Sequence, residues 1–99
     1  MMEGAKLPVR IREQCDVDYE VVNLRKSAGE QVEWQSEGEG FIIEFDSSPF
    51  DQSTFEVPAG GCISSGRVRV DAPYARYHYT IRSRANLAMS ADPDVDVRR

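Results

Sequence analysis

The sequence predicts an all-β fold, a Greek-key β-sandwich of about seven to eight short strands, built as a single domain over residues 1–99. Three observations carry that expectation. Apolar and polar residues alternate with period two in most segments, the mark of strands that bury one face and wet the other. Clusters of Gly, Pro, Asp and Ser separate these runs at short intervals. No capped stretch holds apolar residues three and four apart over three helical turns. A chain of 99 residues can enclose one hydrophobic core and is too short for two ordinary domains.

The strands are justified in chain order. Val9 and Ile11 alternate with Arg10 and Arg12, and a run near Tyr19 to Arg25 has β character without a clear inner face. Val32 and Trp34 then alternate with Glu33 and Gln35, and Phe41, Ile43 and Phe45 with Ile42 and Glu44. Val68 and Val70 stand against Arg67 and Arg69; Tyr77, Tyr79 and Ile81 against His78, Thr80 and Arg82; and Val95 and Val97 against Asp94 and Asp96. Turns are expected at Ala28-Gly29-Glu30, Gly38-Glu39-Gly40, Ser47-Ser48-Pro49, Pro58-Ala59-Gly60-Gly61, Asp71-Ala72-Pro73 and Asp92-Pro93. The stretch 83–91 has room for one short helical turn. Trp34, Phe41, Phe45, Tyr77 and Tyr79 supply the core, and a buried tyrosine hydroxyl needs a partner, so Tyr77 or Tyr79 is expected to bond to backbone near a loop.

Composition narrows the function. A net charge of -5 and a pI of about 4.8 repel phosphate, which argues against nucleic acid or an anionic membrane as the main partner and favours basic or neutral ones. The first fourteen residues hold no apolar run of signal-peptide length and no later segment could span a bilayer, so a cytoplasmic protein is expected. Cys15 and Cys62 are too few for a disulfide framework and read as free thiols in that compartment.

Catalytic chemistry finds little support in the residue types. His78 is the single histidine, and its alternation with Tyr77 and Tyr79 points it outward, away from where a Ser-His-Asp or Cys-His arrangement would need a held base. Neither Gly38-Glu39-Gly40 nor Gly60-Gly61 has the spacing of a phosphate-binding loop. Asp16, Asp18 and Glu20, and likewise Asp92, Asp94 and Asp96, recur along one face of an extended chain; three carboxylates can begin a calcium site, but the Asp-x-Asp-x-Asp-Gly loop is absent and solvating roles are favoured.

The segment Ala28-Gly29-Glu30-Gln31-Val32-Glu33-Trp34 resembles the "G-[DE]-x-V-x-W" turn and strand of cupredoxins. Phe41 to Phe45, Pro49-Phe50, Pro58 to Gly61 and Tyr77 to Ile81 follow in that family's order, so the resemblance runs over roughly residues 21–99. It implies a cupredoxin-like sandwich. Type 1 copper needs two His nitrogens, a Cys thiolate and a weak axial Met, a mixed soft set suited to both oxidation states. Here the upstream His position falls on Phe41, and the Cys-x2-His-x4-Met spacing falls on Ile81, Arg84 and Met89.

The expectation is therefore a non-enzymatic cupredoxin-like domain without type 1 copper or other cofactor, acting as a binding or protein-interaction module, monomeric or homodimeric, with a protein partner of unidentified kind. The alternative is a metal-handling protein with a non-standard site drawn from Cys15, Cys62, His78 or Met89, including one shared across a dimer. Charge is uneven, with 11 acidic and 5 basic residues up to Phe50 and 6 acidic and 7 basic from Asp51 onward. Arg76, His78, Arg82 and Arg84, joined by Arg67 and Arg69 if their strands share a sheet, form a candidate surface for an acidic group; cross-strand pairing with acids such as Glu33 and Glu44 is the other reading. Phe50 and Phe55, in the stretch 47–55, either anchor a partner or plug the end of the sandwich.

Overall fold

The computed structural model describes residues 5–12, 15–86 and 88–99. Among them nine strands form two mixed sheets: β1 (Lys6–Ile11), β2 (Val21–Arg25), β3 (Gln31–Ser36), β4 (Phe41–Phe45), β5 (Thr54–Val57), β6 (Cys62–Ser64), β7 (Arg76–Ser83), β8 (Ser90–Ala91) and β9 (Asp94–Arg98). One sheet runs β1-β3-β6 and the other β2-β9-β7-β4-β5, with β8 beside β7. The β1–β3 and β2–β9 pairs are parallel, and the remaining pairs are antiparallel. No helix among the described residues is long and apolar enough to cross a membrane.

The alternation sets the inner faces. Val9 and Ile11, Val32 and Trp34, Phe41, Ile43 and Phe45, Tyr77, Tyr79 and Ile81, and Val95 and Val97 are all buried, whereas Arg10, Glu44, His78 and Arg82 face water. The unclear face near Tyr19 resolves through Val22 and Leu24, which point inward from β2. At the centre Trp34 packs against Phe55 and Tyr79 with ring centroids 5.0 and 5.6 Å apart, and Phe45 lies 5.0 Å from Tyr79. Trp34 Nε1 donates to Tyr79 Oη at 3.3 Å, a bond from one sheet to the other. Tyr77 makes the backbone bond expected of a core tyrosine, donating its hydroxyl to the Pro73 carbonyl at 2.7 Å.

Several expectations are corrected. Val68 and Val70 do not alternate in a strand: residues 65–75 are irregular, and Val70 is 94% exposed. The segment carries the chain from β6 in one sheet to β7 in the other, so it cannot run along a ladder. Gly66 takes a left-handed φ of 80°, Ala72 N closes a turn on Arg69 O, and Lys26 Nζ satisfies the Val70 and Ala72 carbonyls at 2.7 Å each. Phe50 and Phe55 are buried, both in contact with Trp34. Phe55 belongs to β5, and Phe50 is turned inward by Ser48, whose Oγ accepts from Phe50 N and donates to the Gln52 carbonyl. The described part of residues 83–91 holds the end of β7, bends at 84–85, a turn closed by Met89 N on the Asn86 carbonyl, and β8; Leu87 lies outside the described residues, as do parts of the first fourteen.

Burial pushes the Tyr79 hydroxyl up to about 12, with the Trp34 hydrogen bond opposing the shift and Asp94 and Asp18 adding to it. Below pH about 10 the group is neutral in both the folded and unfolded chain and costs nothing. Between about 10 and 12 the unfolded chain ionises and the folded one does not, so stability falls as pH rises, by about 2–3 kcal/mol. Denaturant melts across this range should show that slope, and Tyr79→Phe should remove this residue's part of it. The same variant should lose about 1–3 kcal/mol at neutral pH, because Trp34 Nε1 is left buried without its acceptor.

Candidate functional site

Of the four positions that the copper-ligand spacing assigns, Phe41, Arg84 and Met89 lie at the loop end where β4 starts and β7 finishes, and Ile81 lies deeper in β7. Phe41 opens β4 and pairs with Ser83, while Ile81 pairs with Ile43 in the middle of the same ladder; both apolar side chains are buried. Arg84 leaves the end of β7 for solvent, its backbone N donating to the Gly40 carbonyl and its guanidinium lying 3.3 Å from Glu56. Met89 is half-buried against the core.

A polar network closes the loops around this apolar floor. Ser83 Oγ donates to Glu39 Oε2, Ser36 Oγ donates to the Glu39 carbonyl, and Asn86 N donates to Ser83 Oγ at 3.2 Å. Ser36 and Ser83 are buried, which explains why each is tied to a partner in place of solvent. The tight turn before β6 depends on Gly60, with a φ of 66°, and on Gly61, where an added Cβ would come within 2.7 Å of Pro58 Cγ.

The β1–β2 loop brings in a residue that pattern reasoning left without a place. Cys15 is fully buried, has a left-handed φ of 59°, and directs its thiol at the Met89 carbonyl 3.4 Å away. Holding a non-glycine residue in that region costs on the order of 1 kcal/mol. Burial raises the thiol's pKa, the Glu39 carboxylate raises it further, and a backbone hydrogen bond from Ser83 opposes both. The structure thus sets the Cys15 thiol against the Met89 backbone carbonyl and separates both residues from the other two metal-ligand candidates. Cys62 is an exposed free thiol on β6, and His78 stands on the outer face of β7. Among the described residues no group of three or more His, Cys, Asp or Glu side chains is placed to hold a metal ion.

Two clefts flank the β1–β2 loop. One, of about 360 Å³, is lined by Ile11, Arg12, Glu37, Gly38, Glu39 and Phe41. The other, of about 170 Å³, lies between Cys15, Asp16 and Glu20 on one side and Ala91, Asp92 and Pro93 on the other. Their rims are mainly acidic.

The candidate basic surface is laced with carboxylates. His78 Nδ1 lies 2.5 Å from Asp94 Oδ1; Arg76 lies 3.9 and 3.7 Å from Asp94 and Asp96; and Arg98 reaches Asp96 at 3.0 Å. Arg82 meets Glu44 at 3.3 Å, while Glu33 sits in the other sheet and accepts from Gln35. Arg67 and Arg69 lie on the irregular 65–75 segment and share no sheet with β7. Each exposed pair is worth no more than about 1 kcal/mol, so the lacing neutralises the face more than it stabilises the fold. Asp92, Asp94 and Asp96 are accordingly engaged by Thr80, His78, Arg76 and Arg98, and Asp16 and Asp18 by Arg12 and the Arg10 backbone.

Two sheets with this strand order and these end loops define an all-β sandwich of the cupredoxin-like class. The particular likeness is to amicyanin. Three solved structures of single-site amicyanin mutants superpose with TM-scores of 0.61, 0.62 and 0.58 at 16%, 14% and 11% identity, each covering 99% of this chain and 86% of the other. Two of them are Cu(I) forms, one at pH 4, and the third is oxidised. At these identities the likeness is one of fold. No family model matches the sequence, and no curated protein matches it.

The two thiols should differ sharply in reactivity, since thiolate fraction and access control attack. A thiol reagent at neutral pH should modify one equivalent, at Cys62, in the native protein and a second only on unfolding. Native Cys62→Ser should react with none, and rapid labelling of Cys15 in that variant would show that the β1–β2 loop opens.

Proposed function

We propose that this chain is a non-enzymatic protein-interaction module built on a cupredoxin-like sandwich and lacking type 1 copper. The observation that carries the reading is the burial of Phe41 and Ile81 at the positions where the family resemblance calls for His and Cys. A phenyl ring and an aliphatic chain have no lone pair to offer, and Arg84, always protonated, would repel a cation from the third position. The chain has one histidine, and that residue is engaged with Asp94 on the outer face. The donor set does not fit a type 1 centre.

The Cys15 thiol meets only the backbone carbonyl of Met89, and the metal-handling alternative would need that residue's thioether to turn to the thiolate, a pair that suits Cu(I). Against it, burial and Glu39 hold the Cys15 thiol protonated, whereas a ligand must be deprotonated. The acidic loop rims, with Asp16, Glu20, Glu37 and Asp92 exposed, favour a basic or neutral protein as partner.

Elemental analysis of untagged, reduced protein, followed by optical titration with Cu(I) and Cu(II), tests the proposal. Less than stoichiometric copper and no thiolate-to-copper absorption band are expected. One tightly held equivalent, lost in Cys15→Ser, would replace the proposal with the metal-handling reading.

A further inference from the structure

The two open sheets leave four end strands, with the two-residue β8 as a further short edge beside β7, and three of the four end strands are guarded. On β1 the groups turned away from β3 belong to Lys6, Pro8 and Arg10; Pro8 has no N–H, and the Arg10 N–H and carbonyl are taken by Asp18. The β6 edge is three residues long. The β5 edge presents Thr54 and Glu56, and a charge there discourages pairing.

The β2 edge has no such guard. Asp94 N donates to the Glu20 carbonyl, so Glu20, Val22 and Leu24 turn their backbones toward β9. Val21, Asn23 and Arg25 turn theirs away, and of these only Arg25 has partners, both from Glu30. The N–H and carbonyl of Val21 and of Asn23 therefore have no protein partner among the described residues. Beside them runs an apolar groove of about 280 Å³ lined by Leu7, Pro8, Tyr19, Val21, Val22 and Asn23, in which Tyr19 is 57% exposed.

We propose that this edge pairs with the same edge of a second copy of the chain, antiparallel about a two-fold axis at Val22. In that register Val21 of each copy faces the second copy's Asn23, and the four open N–H groups meet the four open carbonyls with none left over. The axis also brings the two ends of the edge into complementary contact. Tyr19 of one copy faces Arg25 of the other, an aromatic face against a guanidinium. The Arg25 guanidinium has no salt-bridge partner among the described residues of its own chain. The contact joins the two larger sheets into one and covers both apolar grooves. It is independent of the copper question.

Sedimentation equilibrium of reduced protein over a wide concentration range reads the result. A monomer–dimer equilibrium is expected that weakens at least about tenfold in Asn23→Pro, where an open donor is lost from each copy. Because the proline could unsettle β2, circular dichroism must show the variant folded, and removal of the Tyr19–Arg25 contact supplies a second arm. Tyr19→Ala and Arg25→Ala should each weaken the dimer, and the double variant should weaken it by less than the sum of the two, since the axis sets Tyr19 of one copy opposite Arg25 of the other. A protein that stays monomeric throughout overturns the inference. So does a dimer indifferent to these variants, one lost in Cys62→Ser, or an edge occupied by a different protein on a monomeric chain.

Discussion

The contact between Trp34 and Tyr79 is the constraint on which the rest of the molecule depends. Trp34 sits on β3, the middle strand of the smaller sheet, and Tyr79 on β7, an interior strand of the larger. Each brings one polar atom into an apolar core, and each gives that atom a partner in the other. The bond fixes the sheets' relative position in a way that apolar packing alone does not, because apolar attraction is non-directional. Phe45, Phe50 and Phe55 surround the pair with edge-to-face and tilted contacts. Phe50 comes from the β4–β5 connection, so that segment serves as the plug at one end of the sandwich.

The opposite end shows what apolar residues do at positions where a ligand sphere is expected. Phe41 continues the core from the buried Ile81 to the rim, and the loops above it are tied by Ser36, Glu39, Ser83 and Asn86. In the reading proposed here, hydrogen bonds among the chain's own residues hold together what coordination would otherwise hold. Such a closure needs no redox-tolerant geometry and leaves the loop surface free to diverge in charge.

Much of this was legible in the sequence where one strand face is buried. A period-two pattern then assigns every side chain to a side, as it does for Phe41 to Phe45 and Tyr77 to Ile81. The same pattern misled at Val68 and Val70, because alternation is also compatible with a crossing segment, and only the sheet order reveals that residues 65–75 pass from one layer to the other. The strands β5, β6 and β8 have four, three and two residues, too few for a period to register. Phe50 was open to either reading, and the signal that decides it is local: Ser48 two residues earlier can accept its N–H and fold the ring inward. Cys15 carried no signal for its site. Its burial follows from the return of the chain along β1, through the Ile11–Val17 bridge and the Asp18–Arg10 bonds, a non-local pairing absent from residue spacing.

Charge is distributed so that most of it is consumed within the chain. On the outer face of β7 and β9, arginines and carboxylates alternate across strands, and the histidine among them is matched as well. Acids without a salt bridge among the described residues include Asp18 and Glu20 before β2, Glu39 before β4, and Asp46 and Asp51 between β4 and β5, so the net charge of -5 is felt at those loops. The unspent hydrogen-bonding capacity of the backbone lies next to the first of them, along Val21 and Asn23. In the proposed reading, a surface that has neutralised its flat face keeps its recognition capacity at the loops and at the open β2 edge. That concentration, more than any single residue, is the physical argument for reading the protein as a scaffold for association.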